Sequence, residues 1–344
     1  MKAATREEES RMDAVYHGGD LAAASSRFPA APRPFIDLST GINPHPYPVG
    51  KLSKEAWTRL PEPSAIRALE AIAATAYRAS TAEGVVAAPG AQALIQLLPR
   101  LVDARRVGVL GFTYAEHEAS WRAAGASVST VEELDDLASF DVAVVVNPNN
   151  PDGRRTAPHA LAMMGSRLAR GGGTLIVDEA FMDAKPLVHS LVPRLPLARA
   201  VVLRSFGKFY GLAGLRLGFA IASPDLAEPI RRGLGPWAVS GVSIEIGSRA
   251  LADRAWRERA IRGIAKGAAR LDAMLARAGF EIIGGTPLFR LARHSHAPTW
   301  FERLGRQGIS VRSFPSAHED WLRFGLPGAP VEWRRLEAAL SGRE

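Results

Sequence analysis

One lysine in this sequence has neighbours that could support covalent chemistry. Lys208 lies in a segment rich in glycine and aromatic residues, between apolar runs that predict buried strands at 200–203 and 216–222. Ser205 precedes the lysine by three positions, and Arg216 follows it by eight. Both could turn toward one anionic group, the arrangement that a Schiff-base lysine needs when its aldehyde partner carries a phosphate. The alternative is a structural lysine beside a flexible glycine-rich turn.

Two further polar residues follow predicted strands in the same part of the chain. Asn150 comes after an apolar strand at 141–146, and Asp178 follows a strand at 174–177. Strands and helices alternate here, which indicates βαβ units and an α/β fold with a mostly parallel central sheet. Because ligands of such sheets bind at the carboxyl ends of the strands, we expect Asn150, Asp178 and Lys208 at one edge.

A turn of small residues predicts a place for a phosphate group. Gly90, Ala91 and Gln92 join a predicted strand at 85–88 to an apolar helix at 93–101. Backbone N–H groups and the positive end of the helix dipole at such a turn favour an anion. Many strand-to-helix turns have this composition, so the motif has little specificity by itself.

The chain is predicted to have three parts. Residues 1–39 are expected to form an arm that packs with the small domain, 40–240 a large domain, and 241–344 a small α+β domain. The helical spacing over 243–278 predicts one long helix in the third part. In the large domain, Ser64 is expected to cap the helix that follows it.

The composition is that of an ordinary globular protein. Of 344 residues, 47% are hydrophobic and 23% are charged, which excludes disorder as the main state. Cysteine is absent, so disulfides and cysteine-ligated metals are excluded, and we expect no metal. No apolar run is long enough to span a membrane and the N-terminus is polar, so we expect a cytoplasmic protein without a membrane partner.

The net charge of +8 favours anionic small ligands over nucleic acid. The basic residues are interleaved with acidic ones, as at 254–270, and form no block of like charge. A DNA-binding regulator built on such an α/β domain would need an added helix-turn-helix arm, for which the N-terminal segment is too short. No nucleic-acid partner is therefore expected.

The motifs and their order resemble fold-type-I pyridoxal-phosphate enzymes of the aminotransferase class I/II group, and the resemblance covers essentially the whole chain. The matching motifs lie at 90–92, Tyr114, 150–153, 178–181, 205–208 and Arg216. The resemblance implies pyridoxal 5'-phosphate as the cofactor, Lys208 as the residue that forms the Schiff base with it, and a homodimer.

The resemblance also implies roles for the residues around the cofactor. Asp178 would keep the pyridine nitrogen protonated, Asn150 would donate to the phenolic oxygen, and Tyr114 would stack on the ring. The residues implied to hold the cofactor phosphate are Gly90, Ala91, Gln92, Ser205 and Arg216. For Asp178 the structural alternative is a helix-capping side chain at the end of a strand.

For the substrate, the resemblance implies a small amino acid that carries a phosphate. Arg323 would bind its carboxylate and Arg312 its distal phosphate, while His17, Gly18, Asn43 and Asn150 would complete the site. The implied reaction is decarboxylation of O-phospho-L-threonine to 1-amino-2-propanol phosphate, a step of cobalamin biosynthesis. The alternative is transamination of histidinol phosphate or a similar anionic amine. Either arginine could instead form a surface ion pair.

Two positions depart from the usual pattern of the family. Phe181 stands where many aminotransferases have a tyrosine that donates to the phenolic oxygen, which argues mildly against an ordinary transaminase. Leu60 stands where the neighbouring subunit often supplies a tyrosine to the cofactor phosphate. The contribution of a second subunit to that phosphate is therefore an open question.

Overall fold

A computed structural model describes residues 18–341 and shows a large seven-stranded sheet beside a smaller four-stranded one. The strands are β1 (Ile36–Asp37), β2 (Val85–Ala88), β3 (Arg106–Leu110), β4 (Ser127–Val131), β5 (Val142–Val146), β6 (Thr174–Asp178), β7 (Ala200–Ser205), β8 (Gly218–Ala222), β9 (Glu281–Thr286), β10 (Phe289–Arg293), β11 (Ile309–Ser310), β12 (Arg312–Phe314) and β13 (His318–Gly325). Except for β1 and β11, these strands belong to one of the two sheets.

The large sheet has the strand order β2-β8-β7-β6-β5-β3-β4. All neighbouring strands in it run parallel except β8, which is antiparallel to both β2 and β7. Every residue of β5 is buried, because alternate side chains enter the cores on the two faces of the sheet. The predicted α/β fold with a mostly parallel sheet is confirmed.

Twelve α-helices lie within the described residues and cover the two sheets. They are α1 (Leu21–Arg27), α2 (Glu55–Thr58), α3 (Pro63–Tyr77), α4 (Ala91–Leu101), α5 (Glu116–Ala123), α6 (Pro158–Arg170), α7 (Phe206–Phe209), α8 (Pro224–Leu234), α9 (Gly241–Ala252), α10 (Arg254–Arg277), α11 (Ala297–Arg306) and α12 (Pro330–Ser341). None of the helices in this part of the chain is long and apolar enough to cross a membrane.

The small sheet is antiparallel, with the strand order β12-β13-β10-β9. Strand β1 leaves the N-terminal segment and pairs in parallel with β11, so residues 36–37 lie beside the C-terminal elements. The three-part division with boundaries at 39/40 and 240/241 stays a prediction.

Two local predictions are wrong. The single helix predicted over 243–278 is two helices, because Asp253 leaves the helical conformation and its side chain accepts a hydrogen bond from the Trp256 N–H at 2.8 Å. Ser64 does not cap α3, which begins at Pro63, with Glu62 at the N-cap position. Proline suits the first turn of a helix because it has no N–H to leave unpaired.

Candidate active site

A cavity at the carboxyl ends of β5, β6 and β7 brings most of the predicted site residues together. The predicted residues that line it are Gly18, Ala91, Gln92, Tyr114, Asn150, Asp178, Ser205, Lys208, Arg216, Arg312 and Arg323. The large sheet contributes the floor, and the hairpin of β12 and β13 contributes two arginines from the other side. The position at the strand ends agrees with the general rule for parallel sheets.

Lys208 lies in α7, a single helical turn that follows β7 directly. Lys208 lines the cavity, and its amine lies 5.8 Å from the centre of the Phe181 ring. Burial, and after it the charge of Arg323, lowers the pKa of the Lys208 amine to about 8, while the Asp178 carboxylate acts in the opposite direction. A lysine with such a pKa is partly neutral near physiological pH and can act as a nucleophile.

Asp178 ends β6 and is buried, with both carboxylate oxygens engaged. Its Oδ2 lies 2.9 Å from Nε2 of His117, and its Oδ1 accepts from the Ala180 N–H at 2.9 Å. His117 is itself 1% exposed and lies on α5. This histidine is not among the residues predicted from the sequence. The available signal was its position three residues after Tyr114, in the first turn of α5, where the two ring centres lie 6.2 Å apart.

The turn before α4 is shaped to receive an anion. Gly90 has φ +87°, and a Cβ at this position would lie 2.7 Å from Nη2 of Arg216, so glycine lets the guanidinium approach the backbone. Gln92 is held by the Tyr114 hydroxyl, which donates to its Oε1 at 3.2 Å, and by a hydrogen bond to Glu116. An arginine beside a helix N-terminus fits the phosphate of pyridoxal phosphate.

The two arginines of the small sheet face the same cavity. Arg323 is 3% exposed, and its Nη2 donates to the Ser39 carbonyl at 2.6 Å. Its Nη1 donates to Oδ1 of Asn150, so the amide nitrogen of Asn150 is the atom that can donate to a ligand. Arg312 is directly opposite Arg323 in the register of β12 and β13. The hairpin therefore presents two guanidinium groups to one ligand.

Phe181 forms an apolar wall of the cavity. It is 4% exposed and packs edge-to-face on Phe289, with ring centres 4.9 Å apart. Gly41 lies against the same ring, and a Cβ there would be 2.8 Å from Cε1 of Phe181. Because the wall has no hydroxyl, it offers a ligand packing and no hydrogen bond.

Some predicted residues lie off the cavity. Asn43 is buried behind Lys208, where its Nδ2 donates to the Phe209 carbonyl at 2.9 Å and its N–H donates to the Lys208 carbonyl at 2.9 Å. Leu60 is 65% exposed and does not line the cavity. His17 lies outside the described residues. The predicted contacts of Asn43 and His17 with a ligand stay predictions.

A buried ion network lies at the ends of β6 and β7, and no pattern in the sequence predicts it. Arg204 is fully buried and reaches Glu179 and Asp183 at 3.0 Å each, while its Nη2 donates to the Ser190 hydroxyl at 2.9 Å. Glu179 and Arg204 directly follow Asp178 and directly precede Ser205, respectively. The network therefore ties the ends of β6 and β7 together behind the site.

A buried lysine after one strand, a buried carboxylate after the next, and an arginine beside a helix N-terminus define this fold and site as those of a fold-type-I pyridoxal-phosphate-dependent enzyme. The chain belongs to the aminotransferase class I and II family, whose profile matches residues 34–339. The family and the cofactor predicted from the sequence are thereby confirmed.

Particular relatives narrow the comparison. The chain is 42% identical to the threonine-phosphate decarboxylase of Pseudomonas aeruginosa, over 95% of this chain and 97% of the relative. It is also 42% identical to a threonine-phosphate decarboxylase of Sinorhizobium sp, over 96% and 98%. Among solved structures, histidinol-phosphate aminotransferase from Sinorhizobium meliloti in complex with pyridoxal-5'-phosphate matches with a TM-score of 0.82 at 19% identity, covering 98% of this chain and 97% of that one. The last likeness establishes the fold.

Proposed function

We propose that the protein is a pyridoxal-phosphate-dependent decarboxylase that converts O-phospho-L-threonine to (R)-1-amino-2-propanol O-phosphate. The observation that carries the proposal is the set of charges around Lys208. The side chains of Arg323, Arg216 and Arg312 line one cavity with Lys208 and Asp178. Three cations around one amine suit a complex with three anionic groups.

The anionic groups of the proposed complex match those arginines in number. Arg216, beside the N-terminus of α4, would hold the cofactor phosphate. Arg323, the most buried of the three, would bind the substrate carboxylate, and Arg312, at the start of β12, would bind the distal phosphate. Histidinol phosphate has no carboxylate, so it would leave Arg323 without an anionic ligand. The names of the relatives at 42% identity support the same substrate.

The cofactor, when bound, supplies an electron sink for the electron pair that carbon dioxide leaves behind. The residues of the chain supply orientation. Arg323 and Arg312 approach from one hairpin and would fix both ends of the substrate, so that the bond to the carboxyl carbon takes the reactive direction. Such positioning contributes several kcal/mol to a rate. Asp178, held by His117, would maintain the charge on the pyridine nitrogen.

Two groups next to the reacting carbon would decide the fate of the proton. The Lys208 amine has a pKa of about 8, so near neutral pH it carries a proton that it can give to the α-carbon. Phe181 lines that side of the cavity and contributes no hydroxyl that could compete for the proton. Return of a proton to the carbon that lost carbon dioxide gives the amine product.

The test is a pair of incubations with the purified, cofactor-loaded protein. O-phospho-L-threonine alone is expected to release carbon dioxide and form 1-amino-2-propanol phosphate without any keto acid. Histidinol phosphate with 2-oxoglutarate is expected to form no glutamate. Glutamate formation in the second incubation, with no carbon dioxide in the first, would make the protein an aminotransferase and refute the proposal.

We also propose that the protein is cytoplasmic and forms a homodimer. Each chain would have three parts, with boundaries at 39/40 and 240/241. The large apolar side chains of Trp57, Leu60 and Trp237 are 69%, 65% and 53% exposed, and exposed apolar side chains of this size are typical of an interface. A groove between Pro61 and Trp237 adjoins them. Light scattering should give twice the chain mass, and Trp237→Lys should lower it toward the monomer. A monomeric wild type would exclude the dimer.

A further inference from the structure

An aromatic cluster joins the large sheet to the small sheet beside the cavity. Phe112 follows β3, whereas Phe314, His318 and Trp321 belong to the β12–β13 hairpin, and we call these four residues the aromatic clasp. The ring centre of Phe112 lies 5.9 Å from Phe314, 5.1 Å from His318 and 6.2 Å from Trp321, edge-to-face in each case. His318 stacks on Trp321 at 3.5 Å.

The base of Phe112 is fixed to the large sheet. Its carbonyl accepts from Nδ2 of Asn149 at 3.0 Å, and the Thr113 hydroxyl donates to Oδ1 of the same asparagine at 2.5 Å. Asn149 is 1% exposed and immediately precedes Asn150 of the site. The Phe112 ring, 38% exposed, thus projects from a rigid support that also carries Tyr114. The ring can therefore limit how closely the β12–β13 hairpin approaches the large sheet.

On the other side, the clasp ends at an arginine of the cavity. Phe314 follows Arg312 by two positions on β12, and the Arg312 guanidinium carbon lies 5.3 Å from the centre of the Phe314 ring. Arg312 lines the cavity and Phe314 does not. Phe314 therefore contacts both Phe112 and the guanidinium of Arg312.

We infer that Phe112 is a positioning residue that, through Phe314, places Arg312 on the distal phosphate of the substrate and so selects phosphorylated amino acids. The inference rests on the proposed function, because it takes the distal phosphate as the group that Arg312 binds. It adds a residue that touches neither substrate nor cofactor. Amino acids without a phosphate have no group for Arg312 to bind, so the clasp should not affect them.

The perturbation is Phe112→Ala, which removes the three ring contacts and leaves the backbone anchor on Asn149 in place. Aromatic pairs of this kind contribute enough for loss of the clasp to change affinity about tenfold. We expect the dissociation constant for O-phospho-L-threonine to rise about tenfold and kcat to fall as well, because Arg312 also orients the substrate for loss of its carboxylate. The dissociation constant for L-threonine, measured from the change in cofactor absorbance, should change less than twofold.

Three controls separate positioning from general damage. Phe112→Tyr keeps the ring and should behave as the wild type. Phe301→Ala removes a ring that packs on Phe28 at 6.4 Å, outside the clasp, and should leave both dissociation constants unchanged. In an Arg312→Ala background, Phe112→Ala should have no further effect, because the group that it positions is gone. Thermal unfolding of each variant verifies that it is folded.

The outcomes distinguish this inference from the proposed function. Equal weakening for O-phospho-L-threonine and L-threonine, or an effect of Phe112→Ala that persists in full with Arg312→Ala, would overturn the role of the clasp. If Phe112→Ala does not fold, Phe112→Leu takes its place in the same comparison. A wild-type protein that releases no carbon dioxide from O-phospho-L-threonine overturns the proposed function, and the binding comparison still tests the clasp.

Discussion

Replacing Lys208 with methionine is expected to stabilise the cofactor-free protein near neutral pH. Burial, followed by the charge of Arg323, lowers the pKa of the Lys208 amine from 10.5 to about 8. Protonation of this amine is therefore less favourable in the folded state than in the unfolded state, and it destabilises the folded protein. Methionine has a similar length, no charge and a flexible apolar stem, so it removes that cost with little change in packing.

The magnitude and its pH dependence follow from the two pKa values. Below pH 8 both states are protonated and the full cost is present, about 3 kcal/mol at 1.36 kcal/mol per pH unit. Between pH 8 and 10.5 the unfolded state binds more protons, so the wild type gains stability as pH rises. The advantage of Lys208→Met should be about 3 kcal/mol at pH 7 and about 2 kcal/mol at pH 9.

Urea unfolding of cofactor-stripped protein, followed by tryptophan fluorescence at one protein concentration, measures this difference at both pH values. Lys51→Met is the matched control because Lys51 is exposed, and it should change the free energy of unfolding by no more than about 0.5 kcal/mol. A Lys208→Met protein less stable than the wild type at pH 7 would refute the reasoning. An advantage that stays constant from pH 7 to pH 9 would refute it as well.

Three further substitutions test the support of the site. Gly90→Ala should weaken cofactor retention at least about tenfold in equilibrium dialysis, because its Cβ would displace the Arg216 guanidinium. His117→Phe should destabilise the protein by about 2 kcal/mol in urea unfolding and shift the cofactor absorbance, because the buried Asp178 loses a charged hydrogen bond. Arg204→Met should cost about 3–5 kcal/mol of unfolding free energy, because two buried carboxylates lose their cation.

For each of these three predictions, one result would contradict the stated reason. Gly172→Ala is the control for Gly90→Ala, because Gly172 also has positive φ, +77°, but no neighbouring atom within 4 Å of an added Cβ. Equal cofactor loss in both variants would attribute the effect to backbone strain. Unchanged cofactor absorbance in His117→Phe would show that His117 does not influence the cofactor through Asp178. Wild-type stability of Arg204→Met would show that the buried network is dispensable.

The sequence predicted the fold and the large-sheet part of the site because each depends on local patterns. Asn150, Asp178 and Lys208 each follow an apolar run, and parallel strands bring such positions to one edge. The substrate-binding roles of Arg312 and Arg323 were predicted only from the family resemblance, since an arginine beside a strand is ordinarily on the surface. The structure places both of them at the cavity.

The features that the sequence did not predict depend on contacts between distant segments. Helical spacing continues across Asp253, so periodicity alone predicted one helix, whereas the side chain of that residue starts a new one. An arginine in a strand is ordinarily exposed, and only the packing of residues 179–190 beside Arg204 explains its burial. The contact of Phe112 with the β12–β13 hairpin joins segments about two hundred residues apart, and no pattern marks it.

The most direct test of the account is to identify the residue that carries the cofactor. The purified protein should absorb as a pyridoxal-phosphate enzyme, and borohydride should bleach that band. Mass spectrometry after digestion should then place the reduced cofactor on Lys208, and Lys208→Ala should carry none. A modified residue elsewhere, or a protein that stays colourless with added cofactor, would contradict the account.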